Sequence, residues 1–192
     1  DESYFETWRA RKDLAGGGIL LDQGIHMLDL FLYLGGSFDQ IHAFVSNLYW
    51  KLDGVEDNVF AIMKNSKSGM VASLHSTMTQ WRHLFSLEIF LESGYMVLNG
   101  LKTSSGTYGA EVLTVARNRS ESPAATWEEE ESFEFNVDNS WDREAIHFID
   151  SIRNNTNIEI GTSMDSLRVM KIVEEIYKNP RSESENLYTK LK

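Results

Sequence analysis

The chain has 192 residues, no cysteine and a formal charge of −11, from 29 acidic against 18 basic side chains. That length can bury a real core, the missing cysteine excludes disulfides and thiolate metal sites, and the acidic balance argues against a nucleic-acid surface. No apolar run reaches the roughly 18 residues needed to cross a bilayer, and no basic segment followed by an apolar one is seen at the start, so a cytoplasmic location is expected.

Asp1–Lys12 reads as the tail of a preceding segment rather than the start of a fold. The first strong element is a helix over Gly18–Leu34, whose apolar residues Ile19, Leu20, Met27, Leu28, Leu30, Phe31 and Leu34 leave little polar circumference and predict extensive burial. Gly16-Gly17-Gly18 precedes it, and Gly35-Gly36 supplies a glycine stop.

The period then changes. Ile41–Trp50, Asn58–Lys64, Met70–Thr79, Phe85–Glu92 and Tyr95–Asn99 are short runs rich in β-branched and aromatic residues, separated by turn signals at Asp53-Gly54, Lys67-Ser-Gly69 and Ser93-Gly94. Glu111–Arg117 and Ser132–Val137 add two more strands. The polar stretch Arg117–Glu131, with its acidic block Glu128–Glu131, reads as a solvated excursion between strands. Asn118-Arg-Ser120 and Asn154-Asn-Thr156 match the glycosylation pattern and are read as chance.

Helices over Trp141–Arg153 and Ser163–Lys178 close the chain, the second with Thr162 or Ser163 as its cap. Helix, strands, helices is an α+β order. It predicts one domain over residues 1–192, a large open, mainly antiparallel sheet covered on one face by helices. No repeating βαβ unit is present, so the chain by itself is not a nucleotide-binding domain.

The chemistry concentrates in Asp22-Gln-Gly24-Ile-His26-Met-Leu-Asp29. On a helix, Asp22 and His26 share a face, with Asp29 a turn beyond. A carboxylate beside an imidazole fixes its tautomer and favours proton acceptance. The same spacing also suits a histidine buried for structural reasons. A metal triad lacks any further ligand at supporting spacing, so no metal is expected. The glycine run is neither a phosphate loop nor a dinucleotide fingerprint.

Trp8-Arg9, then Gly16-Gly17-Gly18, then Asp22-x-Gly24-x-His26-x-x-Asp29 resemble the C-terminal domain of the glucose-fructose oxidoreductase, inositol dehydrogenase and rhizopine catabolism (Gfo/Idh/MocA) family. Weaker likeness continues through Leu91–Gly100, Tyr108-Gly109 and the closing helix near Tyr177. The resemblance implies the glyceraldehyde-3-phosphate-dehydrogenase-like C-terminal fold and an oxidoreductase acting on a hydroxyl of a sugar, inositol or nucleotide-sugar. It implies NAD or NADP in the intact parent, held by an N-terminal Rossmann domain whose Glu-Lys-Pro motif supplies a lysine. That motif is not in these residues, so the chain is expected to start downstream of it and to bind no dinucleotide alone.

In the same reading His26 and Asp22 are catalytic, His26 moving the proton and Asp22 orienting it. Trp8, Arg9 and Lys12 flank the substrate pocket, or equally form a solvated linker. Trp81 and His83 make a second candidate wall, or a strand-end aromatic among surface groups. His42, His75 and His147 are read as structural. A homodimer through the sheet is expected, with Phe44, Phe60, Phe90 and Met96 as candidate interface residues unless the helices cover them. The alternative is a non-catalytic dimerisation or ligand-binding module of the same fold.

Overall fold

The computed structural model describes residues 6–117 and 127–178, which divide into two compact units. The first holds the described residues up to Thr79 together with those from Glu159 onward; the second is Gln80–Ile158. Asn118-Arg-Ser120 and the middle of the polar excursion lie outside the described residues.

In the first unit a short 3-10 turn, Trp8–Ala10, leads into helix α1 (Lys12–Ala15). After the glycines comes a wide π-helical turn, Leu20–Gly24, continuous with helix α2 (Ile25–Gly35). Strands β1 (Gln40–Ser46), β2 (Asn58–Lys64) and β3 (Val71–Thr77) form an antiparallel sheet in that order. Helix α4 (Ser163–Lys178) completes the unit; it follows, in chain order, helix α3 (Ser140–Asn154) of the second unit. Alternation sends Val59, Ala61 and Met63 of β2 to the helical side, and Phe60, Ile62 and Lys64 to the other. Helix α4 meets them with Val169, Ile172, Val173 and Ile176, the one-face spacing of an amphipathic helix. Each such aliphatic side chain stabilises the unit by about 1.5–3 kcal/mol.

The α4 cap is reciprocal. Thr162 donates its N–H and hydroxyl to Asp165 Oδ2, and the Asp165 N–H donates back to Thr162 Oγ1 at 3.2 Å. The hydrogen bonds from Thr162 hold the Asp165 carboxyl below its ordinary value.

The second unit holds β4 (Ser86–Leu91), β5 (Gly94–Asn99), β6 (Glu111–Arg117) and β7 (Glu131–Phe135), a four-stranded antiparallel meander. Leu91 pairs with Gly94, so Glu92-Ser93 is a two-residue hairpin loop. Helix α3 (Ser140–Asn154) follows and ends on Asn155 in the left-handed region.

The α+β class and the antiparallel pairing agree with the sequence. Three details differ. The hydrogen-bonded ladders form a three-stranded and a four-stranded sheet rather than one large one, residues 78–85 between them belonging to no strand. The helix expected over Gly18–Leu34 opens with a π turn. It also buries one stripe rather than most of its surface: Ile19, Leu20 and Leu28 are enclosed, while Tyr33 and Leu34 face solvent. Hydropathy cannot separate a helix packed on one side from one packed all round.

Candidate functional site

The start of the site-bearing helix is fixed by a residue that comes 36 to 38 positions later. Glu56 is 6% exposed. Its Oε2 accepts the Gly18 N–H at 2.7 Å and its Oε1 the Leu20 N–H at 3.0 Å. Its carbonyl oxygen accepts the Ile19 N–H at 3.1 Å. Three backbone donors that a helix start leaves open are thereby satisfied by one acidic residue. Tyr177 on α4 donates its hydroxyl to the same Oε1 at 2.7 Å. Burial first, then the adjacent Glu56 charge and hydrogen bond, push the Tyr177 hydroxyl above the ordinary phenol range, which keeps it a donor.

These contacts explain two of the three glycines. A Cβ on Gly18 would stand 2.9 Å from both C and N of Glu56, and one on Gly17 would stand 2.9 Å from Tyr177 Cζ. At these two positions the run is a close-packing requirement.

The π turn follows at once. The Gly18 carbonyl accepts from both Leu21 and Asp22, at 3.1 and 3.0 Å, and the Ile25 N–H reaches back to the Leu20 carbonyl. Such single π turns recur at functional positions. Asp22 lies within it, half-buried. Arg9 donates Nε to Asp22 Oδ1 at 3.2 Å, and Gln23 donates its amide to Oδ2 at 3.4 Å. The Arg9 guanidinium also sits 4.7 Å from the Trp8 ring centroid, a cation–π contact. Trp8, Arg9, Gly18, Leu21 and Asp22 line a recess of about 70 Å³. His26 is exposed on the first turn of α2, one turn after Asp22, and Asp29 is exposed beyond it.

The predicted site residues therefore divide. Trp8, Arg9 and Asp22 come together. Lys12 points its stem along Gly54, where a Cβ would lie 2.8 Å from Lys12 Cδ. Trp81 and His83 belong to the second unit: Trp81 is fully exposed, and the His83 ring centroid is 5.1 Å from that of Tyr108. Glu56 and Tyr177 were not among the residues the sequence singled out. Their partners are too far along the chain for any local signal.

The neighbouring Asp57 is fully buried and faces elsewhere. Its carboxylate accepts the N–H groups of Leu48, Tyr49 and Trp50 at 2.8–2.9 Å. The Trp50 indole N–H donates to the Met78 carbonyl at 3.1 Å, so the loop after β1 is pinned at both ends.

The face of the three-stranded sheet turned away from the helices carries the register row Phe44, Phe60, His75. His75 stacks on Phe60 with centroids 3.9 Å apart and meets Asn58 Oδ1 through Nε2 at 3.1 Å. Phe44 and Phe60 are exposed on this face; in the second unit Phe90 is exposed and Met96 half-buried.

A pyrophosphate needs open backbone N–H groups at a helix start, and at this one those of Gly18, Ile19 and Leu20 are already taken by Glu56. Among the described residues no group of three or more His, Asp or Glu could hold a metal ion, and no helix is long and apolar enough to cross a membrane.

The family model described as the GFO/IDH/MocA C-terminal domain matches residues 1–97. No curated protein sequence matches the chain. Among solved structures, levoglucosan dehydrogenase in complex with NADH and levoglucosan is similar, with a TM-score of 0.70 and 20% identity over 91% of this chain and 52% of that one. The WlbA dehydrogenase from Bordetella pertussis, in complex with NADH and UDP-GlcNAcA, is similar with a TM-score of 0.66 and 18% identity over 95% of this chain and 49% of that one. The chain thus spans about half the length of these structures, and the likeness is one of fold.

Proposed function

The chain belongs to the GFO/IDH/MocA family, and on that premise we propose that it is the substrate-binding part of a nicotinamide-dependent oxidoreductase acting on a hydroxyl of a sugar, inositol or nucleotide-sugar. The observation that carries this reading is Asp22, tied to Arg9 in a recess at a π turn, with His26 exposed one turn on. Bound by residues outside these 192, NAD or NADP would take up or release hydride. The present residues handle the proton and the substrate.

His26 accepts the proton of the substrate hydroxyl at a ring nitrogen, or returns it in the reverse direction. Asp22 orients the ring and stabilises its protonated form. Arg9 keeps Asp22 in place and lines the recess, where an anionic sugar substituent would find a partner. Lys12, Trp81 and His83 are the remaining candidates for substrate contact. By itself the chain binds no dinucleotide.

The test is an assay of the enzyme that joins these residues to a nicotinamide-binding half, against sugars, inositols and nucleotide-sugars. Reduction of NAD or NADP with at least one of these classes is expected, and no turnover with any of them would contradict the reading. Titrating NADH and NADPH into the 192-residue chain should give no binding; micromolar affinity would count against it.

One observation favours a second role for the same fold, as a homodimerisation module. Phe44, Phe60, Ile62 and Val71, 46–59% exposed, share the sheet face opposite the helices. Sedimentation at micromolar concentration should show a dimer that Phe60→Glu converts to monomer. A monomeric wild-type chain would remove this reading.

A further inference from the structure

We propose that Glu56 is a positioning residue for the Asp22–His26 site, its carboxylate, completed by Tyr177, being the internal anion that fixes where the site-bearing helix begins. The inference rests on the proton-transfer reading above for its catalytic consequence, and on geometry for the rest.

The path from Glu56 to Asp22 is short and made of hydrogen bonds. Glu56 Oε2 holds the Gly18 N–H at 2.7 Å, and the carbonyl of the same glycine holds the Asp22 N–H at 3.0 Å. The other oxygen holds Leu20, the first residue of the π turn, at 3.0 Å. Moving Gly18 therefore moves the Asp22 backbone, and with it the carboxylate that meets Arg9.

Only a carboxylate serves here. Gly18 N–H, Leu20 N–H and Tyr177 O–H are three donors converging on two oxygens. Glutamine offers one acceptor and turns an NH₂ group toward a donor. Among the described residues no cation pairs with Glu56, so its charge is balanced by the helix start and by the tyrosine. Tyr177 lies 121 positions from Glu56, and its ring packs over Gly17. The closing helix thus helps set where the π turn and α2 begin.

Tyr177→Phe keeps the ring and deletes one O–H, so it tests the lock with little risk to folding; Glu56→Gln is the stronger variant. In the enzyme carrying these residues with its nicotinamide-binding half, Tyr177→Phe and Glu56→Gln should lower kcat about 10- to 100-fold, the cost of a small misplacement of a catalytic group. The cofactor KM should not change. In the 192-residue chain, amide exchange at Leu20–Gly24 should accelerate in both variants while β2 stays protected. Wild-type kcat in Tyr177→Phe, or wild-type exchange at Leu20–Gly24, overturns the proposal, and Tyr177→Phe decides it even if Glu56→Gln fails to fold. His26→Ala, run in the same assay, separates the two readings. Full turnover there sinks the proton-transfer role, and the exchange experiment still decides the lock.

Discussion

Arg9 spans two neighbours, stacking 4.7 Å from the centroid of Trp8 and donating Nε to Asp22 Oδ1 at 3.2 Å. A planar guanidinium can do both; an ammonium cannot reproduce the stack and the directed donor together. Arg9→Lys should therefore lower kcat/KM about tenfold, the scale of one charge-assisted hydrogen bond. If Arg9 acts mainly through Asp22, kcat falls; if it mainly grips substrate, KM rises. Steady-state kinetics separates the two, and wild-type values for both would exclude Arg9 from the site.

Gly18 is the least replaceable glycine near the site. An alanine Cβ there would press on the Glu56 backbone, whereas at Gly17 it meets the Tyr177 side chain, which can yield by loosening its bond to Glu56. Gly18→Ala should cost at least about 1–3 kcal/mol, the usual range for overpacking. Gly17→Ala should cost less. Urea unfolding of the three chains measures the order, and equal midpoints for Gly18→Ala and wild type would refute the packing argument.

Asp57 holds the loop after β1 through three backbone donors. Asp57→Ala would leave the Leu48, Tyr49 and Trp50 N–H groups without their acceptor, at a cost of about 3 kcal/mol. For a chain of this size each kcal/mol lowers Tm by about 2–4 °C. Calorimetry should show the loss, with kcat of the folded enzyme unchanged.

His75 gives the fold an acid-sensitive component. Partial desolvation against Phe60 lowers its pKa below the ordinary value, so the unfolded chain takes up its proton first. The associated stability is present above about pH 6.5 and is lost as pH falls toward the native value. The His75→Gln variant should show a flatter decline between about pH 7 and 5. Parallel stability curves for the two proteins would contradict this.

Much of the architecture was legible because it is local. β2 at Asn58–Lys64, β6 at Glu111–Arg117 and α4 at Ser163–Lys178 have the ends that period and capping residues predict. The π turn was not legible, since it depends on Glu56 gripping Gly18 and Leu20 from across the unit. For the same reason Glu56 and Asp57 read only as two acids before a strand. Their burial follows from tertiary donors, and hydropathy expects such residues in solvent. Asp22 and His26 are proposed from their pattern in the sequence, and the structure adds Arg9 as the partner of Asp22.

The most direct test of the account is the turnover of His26→Ala in the enzyme that joins these residues to a nicotinamide-binding half. Loss of a general base should lower kcat by about 10²- to 10⁴-fold, with cofactor affinity retained. A His26→Ala enzyme that turns over at the wild-type rate would contradict the assignment of the proton to this chain.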